Sequence, residues 1–257
     1  GGAALEYASN LYLVIAGTFI LSVTNVIFPK LSRLTAGGKE GEFQDTIRQT
    51  THTCLFFVLP MSVGLMVVAR PLVSLIYGGG EFDAFSVDIT ATGLTWMSLG
   101  MAGYALQNVL SRAYFARQKG KVPLAAGAAS ILVNVLLCMA LAQRMGVAGL
   151  ALSSAVSSTV YALLLDIPLE LRGEGVLSRS FLLDLGKMTL ATALMAVGAW
   201  AVAGLTEGLL PGKAGELLTL GASAAAGVAV YFPAAVLLRL DEGQLALKMV
   251  KRVWKRG

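Results

Sequence analysis

Long stretches without an ionisable side chain recur along the chain. Between Glu6 and Lys30, for example, 23 consecutive residues carry no charge at neutral pH. Each stretch matches the roughly 20 residues that an α-helix needs to cross a hydrocarbon core about 30 Å thick. The pattern predicts seven membrane-spanning helices of 19 to 23 residues, at 7–29, 49–69, 89–111, 122–143, 145–165, 188–206 and 217–238.

These stretches favour helices over strands. Backbone groups find no water in a bilayer core, so a spanning segment is a helix or part of a closed barrel. Barrel strands are about 10 residues long and alternate apolar with polar side chains, unlike these segments. The predicted fold class is an all-α polytopic membrane protein with a bundle of seven transmembrane helices. The alternative, a soluble bundle, is disfavoured because every helix would be apolar on all sides.

The composition agrees with this fold class. The chain is 56% hydrophobic and only 14% charged, whereas a soluble domain carries about 25% charged residues. Polar side chains are too few to cover a water-exposed surface. We therefore expect lipid to cover much of the protein.

Lysine and arginine are unevenly distributed among the connections between spans. Of the 20 basic residues, 17 lie in the first, third and fifth connections and in the C-terminal tail. The positive-inside rule then predicts an outside N-terminus and a cytoplasmic C-terminus. The net charge of +5 is explained by topology and by contact with anionic membrane lipids, without nucleic acid as a partner.

Residues suited to catalysis or to cofactor binding are scarce. The chain has one His, and its two cysteines, Cys54 and Cys138, lie within apolar spans. No Cys-x-x-Cys pair or phosphate-binding loop is present, and mid-span positions carry no acid or base. The sequence therefore predicts no enzymatic activity and no cofactor.

Three segments, taken in order, resemble landmarks of a known transporter family. They are Asn-Val-Ile-Phe-Pro-Lys-Leu-Ser-Arg-Leu at 25–34, Tyr-Gly-Gly-Gly-Glu-Phe-Asp-Ala-Phe at 77–85 and Tyr-Phe-Ala-Arg-Gln-Lys-Gly-Lys-Val-Pro at 114–123. Their order and spacing over roughly residues 3–170 resemble the MurJ (MviN) lipid II flippases. That family belongs to the multidrug/oligosaccharidyl-lipid/polysaccharide exporter superfamily.

The resemblance implies a fourteen-helix protein of two six-helix lobes plus two additional helices. This chain would contain five second-lobe helices (1–181), the two additional helices (182–240) and a basic cytoplasmic tail (241–257). It begins with Gly1 and has no basic segment before the first span, so we expect a missing N-terminal lobe to be a partner. The implied function is to move lipid II, an undecaprenyl-pyrophosphate-linked peptidoglycan precursor, across the bacterial cytoplasmic membrane by alternating access.

The resemblance also suggests substrate-binding residues. Relatives carry an arginine in a Tyr-Ala-Asp-Arg-like stretch where this chain has Asn10, which leaves neutral hydrogen bonding at that position. The third connection carries residues that could attract the anionic headgroup, although they could equally serve topology alone. These candidates are Arg112, Arg117, Gln118, Lys119 and Lys121.

A cation site is the remaining implication. Sodium coupling in the family involves Asn and Asp one turn apart, and here Asn134 matches but Cys138 stands at the acidic position. Asn134 is therefore a candidate metal ligand without its carboxylate partner, and an interhelical hydrogen bond is its more common role.

Several other functions are compatible with the same sequence. One alternative is another polysaccharide, lipid or drug exporter of the superfamily, because the expected cleft charges are missing. A second is a degenerate, non-transporting membrane scaffold. A third, a membrane enzyme acting on polyprenyl phosphates, lacks an acidic motif that could bind magnesium. The small and apolar residues of the last two spans fit a groove for a lipid tail and fit plain helix packing equally well.

Overall fold

The described part of the chain consists of helices joined by short connections. The computed structural model describes residues 2–80, 82–171, 173, 175–176 and 178–244. Within these ranges the all-helical prediction is confirmed, and the only extended pairing is an isolated bridge between Gly79 and Phe82. The helices are α1 (Gly2–Tyr12), a π-helical turn (Leu13–Gly17), α2 (Thr18–Ala36), α3 (Glu40–Tyr77), α4 (Ala84–Ser98), α5 (Met101–Ala116), α6 (Lys121–Met145), α7 (Val147–Glu170), α8 (Arg179–Thr206) and α9 (Gly212–Leu237).

Six of the seven predicted spans are continuous helices. In the described ranges, six helices are long and apolar enough to cross a membrane, and α1, the π-helical turn and α2 together form one of them. The third predicted span differs, because it consists of the 15-residue α4 and the 16-residue α5. The prediction of one continuous helix over 89–111 is therefore wrong. The C-terminal part of the predicted basic tail, from residue 245 onward, lies outside the described residues.

Close contact with α7 accompanies the break between α4 and α5. A Cβ atom on Gly100 would lie 2.4 Å from Cα of Ala155, so only glycine fits beside the α7 backbone. The carbonyl group of Ser98 accepts a hydrogen bond of 2.5 Å from the Ser62 hydroxyl group on α3. A broken helix is tolerated in a membrane when neighbouring side chains satisfy its backbone in this way.

The two halves of the broken helix still form one path through the bundle. Helix α4 packs against α1, whereas α5 packs against α2. Both α4 and α5 also pack against α3 and α7. Together they therefore run alongside the first spanning helix and provide the remaining crossing.

Helix α3 lies at the centre of the described bundle. It contacts α2, α4, α5, α8 and α9, while α6 packs mainly on α7. With 38 residues, α3 is about 57 Å long and exceeds the hydrocarbon thickness. Arg117 and Arg112 pack against the start of α3 and the end of α2, respectively. We call the end of the bundle where these residues lie the basic end.

The close approach of α7 gives a first prediction. In Gly103→Ala, the added Cβ would lie 2.6 Å from Oγ1 of Thr159, so the helices must separate. Overpacking of this kind costs about 1–3 kcal/mol, and we expect a lower midpoint of thermal unfolding in detergent. Gly221→Ala is the control, because no atom lies within 4 Å of its added Cβ. Equal losses of stability in both variants would contradict this account of the α5–α7 contact.

Candidate functional site

One face of α3 lines two adjoining grooves. Residues at spacings of three or four along this helix share a face. The first part of the face is polar and lies toward the basic end, and the second part is apolar. The polar part consists of Thr46, Gln49, Thr50 and Thr53, and the apolar part of Phe57, Pro60, Met61, Gly64, Leu65 and Val68.

The apolar groove lies between α3, α8, α9 and the π-helical turn. Its cavity volume is about 340 Å³, and none of its lining residues is charged. Ser223 and Tyr231 carry its hydroxyl groups, and the Tyr231 hydroxyl donates a 2.5 Å hydrogen bond to the backbone carbonyl of Phe56. Tyr231 therefore presents mainly ring carbon to the groove. This lining suits a hydrocarbon chain.

The polar groove lies between α2 and α3 and has a volume of about 460 Å³. The polar residues of α3 form one wall, and the α2 wall is largely apolar, with Ser22, Val23, Val26, Ile27 and Lys30. Lys30 and Gln49 are exposed, and Lys30 forms no ion pair within the described ranges. The ammonium group of Lys30 and the amide of Gln49 suit an anionic or sugar-containing ligand, whereas most of the hydroxyl groups of the groove already donate hydrogen bonds within the protein.

Sequence reasoning missed this groove. Lys30 belongs to the basic first connection, which predicts only membrane topology, and the hydroxyl residues at the start of α3 predict no site on their own. The spacing of Thr46, Thr50 and Thr53 on one helical face was a usable signal. The partner surface on α2 had no comparable signal, because only the fold brings α2 alongside α3.

Three polar contacts hold α9 and the segment after it against α3. At the end opposite the basic end, Ser74 on α3 hydrogen-bonds Glu216 on α9. Farther along, Tyr231 bonds the Phe56 carbonyl group. At the basic end, Nδ1 of His52 lies 2.6 Å from Oε1 of Glu242, in the helical segment 241–244 that follows α9. The wall of the apolar groove is thus fixed at several depths.

The structure places the predicted residues of the third connection together at the basic end. The guanidinium group of Arg117 stacks 4.4 Å from the Phe43 ring and forms an ion pair with Glu40, and its side chain is only 9% exposed. Arg112 lies 5.7 Å above the ring of Phe28. Both guanidinium groups are therefore engaged with aromatic rings of the bundle.

The other three residues of this connection are exposed. Gln118 has a φ of 57°, and the amide group of Lys119 donates a 2.9 Å hydrogen bond to the Tyr114 carbonyl group. This is the left-handed C-terminal cap of α5. The cap leaves the side chains of Gln118, Lys119 and Lys121 exposed at the basic end.

Asn10 and Asn134 lie apart from this group. Asn10 is exposed on α1. On α6, Nδ2 of Asn134 lies 3.1 Å from the Ser157 hydroxyl group of α7, and the Cys138 thiol donates to its side-chain oxygen. This is an interhelical hydrogen bond. Among the described residues, no group of three or more His, Cys, Asp or Glu side chains is arranged to hold a metal ion.

Comparison with known proteins identifies the family. The family model described as lipid II flippase MurJ matches residues 1–217. The chain belongs to this family. Probable MurJ flippases of Rhizobium meliloti (strain 1021) and Thermotoga maritima are 28% and 30% identical over 99% and 93% of this chain, respectively.

A solved structure supports the same assignment. The lipid II flippase MurJ in an inward closed conformation superposes with a TM-score of 0.74 and 25% identity, covering 92% of this chain and 47% of that one. The chain also covers only 48% and 46% of the Rhizobium and Thermotoga relatives. It therefore spans about half the length of the flippases it matches.

The environment of Arg117 gives a second prediction. Arg117→Lys keeps the positive charge but loses the planar stacking on Phe43. We expect a loss of about 1 kcal/mol in unfolding free energy, measured by thermal unfolding in detergent. Lys119→Arg is the control, because the Lys119 side chain is exposed. An Arg117→Lys variant as stable as the wild type would show that the stacking contributes nothing.

Proposed function

We propose that this chain is the C-terminal part of a lipid II flippase. It moves an undecaprenyl-pyrophosphate-linked peptidoglycan precursor across the bacterial cytoplasmic membrane by alternating access, as a transporter and not as an enzyme. The observation that carries the proposal is that the polar groove and the apolar groove follow one another along one face of α3. Its partners are the substrate, the membrane lipids and the N-terminal lobe of the same protein.

The two grooves match the two parts of such a substrate. A polyprenyl tail is hydrocarbon and fits the uncharged groove between α3, α8 and α9. A pyrophosphate with sugars needs hydrated surroundings and positive charge, and the exposed Lys30 and Gln49 of the polar groove offer an ammonium group and an amide. Because the grooves adjoin on α3, one amphiphile can occupy both.

The exposed cations of the basic end provide the first attraction for the headgroup. Lys119 and Lys121 are exposed beside the cap of α5, and Lys30 is on the same end of the bundle, two residues after Phe28. Positive charge around an opening raises the local concentration of an anionic ligand. Arg112 and Arg117 are engaged with aromatic rings, which favours a supporting role for them.

The remaining predicted residues have smaller roles in this proposal. The amide of Asn10 offers neutral hydrogen bonding to the headgroup from the exposed face of α1. Asn134 joins α6 to α7, and a cation there would have to be held by neutral oxygens. The basic end lies in the cytoplasm in this proposal, and the N-terminus of the chain lies outside, as the positive-inside rule requires.

Blocking the apolar groove tests the assignment of the tail. Ala224 lines the groove near its mouth, so Ala224→Trp in the full-length protein fills space that the tail would occupy. The tail then loses packing contacts worth about 1.4 kcal/mol, and we expect about a tenfold slower flipping in proteoliposomes.

Ala225→Trp is the matched control for this experiment. Ala225 is the next residue of the same helix and is exposed, but it does not line the groove. Equal rates for the two variants would exclude the groove as the path of the tail. Failure of the full-length wild-type gene to support growth of a flippase-depleted bacterium would instead favour a non-transporting scaffold.

Neutralising the exposed lysines tests the assignment of the headgroup. The full-length triple variant Lys30→Gln, Lys119→Gln, Lys121→Gln should bind a pyrophosphate-linked polyprenyl lipid about tenfold more weakly in nanodiscs. This estimate assumes about 0.5 kcal/mol for each exposed charge pair. The difference should shrink as salt is raised. Lys213→Gln, an exposed lysine at the start of α9, is the control, and an equal loss of affinity there would exclude a localised site.

A further inference from the structure

The single histidine of the chain lies between two carboxylate groups from different elements. On α3, Nδ1 of His52 is 2.6 Å from Oε1 of Glu242, and Nε2 is 3.6 Å from Oδ2 of Asp184 on α8. The side chains of His52 and Glu242 are only 18% and 13% exposed. The imidazole therefore connects α3 with α8 and with the helical segment 241–244.

The charged groups around His52 are few. Within the described ranges, Glu242 and Asp184 face the imidazole, and the other oxygen of Asp184 lies 2.7 Å from Nζ of Lys187. Thr53 donates a 3.3 Å hydrogen bond to Glu242. Arg48, one turn earlier on α3, donates instead to the carbonyl group of Gly175. The His52 cluster, defined here as His52, Asp184 and Glu242, thus joins one imidazole to two acids.

The protonation state of the imidazole decides how many of these contacts form. A protonated imidazole donates from both nitrogens, so it attracts both carboxylates. A neutral imidazole donates from one nitrogen only, so one of the two carboxylates loses its contact with the imidazole and keeps only Lys187 or Thr53. In a partly buried position such a loss is costly, because water cannot fully replace the missing contact.

Glu242 keeps its charge over the physiological range. Burial raises the pKa of Glu242, but its contacts with His52, the backbone and Thr53 outweigh this effect and hold the pKa below its ordinary value of 4.5. Its attraction for His52 is therefore lost only in acid, as pH falls through that lowered value. Above about pH 5 the imidazole is the group of this pair that changes charge.

The cluster stands at one end of the apolar groove. His52 is five residues, or about 7.5 Å along the helix axis, before Phe57, which lines the groove. The opposite walls of the groove belong to α8, which carries Asp184, and to α9, which ends five residues before Glu242. At the far end of α3, Ser74 and Glu216 hold α9 without an imidazole.

We propose that the His52 cluster is a proton-dependent latch that positions α8 and the helical segment 241–244 against α3, and so sets the width of the apolar groove at the basic end. The three residues are positioning residues, because they act through the helices that form the groove. Protonated His52 closes the latch. The latch opens as pH rises and the imidazole loses its proton.

A distance measurement in the full-length protein tests the latch. With Cys54 and Cys138 replaced by Ala, spin labels are attached at Leu183 on α8 and Leu124 on α6, both exposed near the basic end. Electron–electron double resonance in nanodiscs is recorded from about pH 5.5 to about pH 8.5. We expect a second, longer distance whose population rises with pH along a one-proton titration curve.

The control pair monitors the end that lacks an imidazole. Labels at Phe85 on α4 and Leu217 on α9, both exposed, should keep one distance throughout the pH series. A change in this pair would indicate general loosening of the bundle. An unchanged distance between Leu183 and Leu124 in the wild-type background would overturn the latch, whatever happens to any variant.

Substitutions test whether the pH dependence of the distance arises from the His52 cluster. His52→Gln and Glu242→Gln should abolish the pH dependence, whereas Asp45→Asn, an exposed acid on the same helix, should keep the wild-type curve. A wild-type curve in His52→Gln would overturn the assignment to His52. These measurements need no substrate, so the latch and the proposed flippase activity can fail independently.

Discussion

The absence of water from the hydrocarbon core is the constraint on which this structure depends. Every backbone polar group at membrane depth must find a partner within the protein, and polar side chains there are costly without one. The constraint explains why the Ser62 hydroxyl group bonds the Ser98 carbonyl group where the third spanning helix breaks, and why Asn134 bonds Ser157. It also explains why the ion pairs of Arg117 and Lys187 lie toward the basic end.

The same constraint acts on α3 along its length. Its groove-lining face is polar from Thr46 to Thr53 and apolar from Phe57 to Val68. A helix that only separated protein from lipid would need no change from polar to apolar side chains between Thr53 and Phe57. The change is useful when the neighbouring space contains an amphiphile, because each part of the ligand then meets a surface of its own polarity.

The sequence predicted the spanning helices well because their signal is local. An uncharged stretch such as 49–69 must be a helix whatever its neighbours are. The break at Gly100 was not predictable, because it depends on the approach of Ala155 from another helix. The contact between His52 and Glu242 was not predictable either, because 190 residues separate them in the sequence. Arg117 was recognised as a cation, but its Phe43 partner is a tertiary contact.

The packing between α8 and α9 determines how a latch at one end could act on the groove. A Cβ atom on Gly198 would lie 3.0 Å from Val230, and one on Gly227 would lie 3.4 Å from Met195, so these helices are in close contact. Tightly packed helices move as a unit more readily than they separate. With Ser74 and Glu216 joined at the far end, and with Tyr231 joined to the Phe56 carbonyl group, release of His52 would let the pair move only at the end that lies beyond Phe56. The groove would then widen most at the basic end, where the polar groove adjoins it.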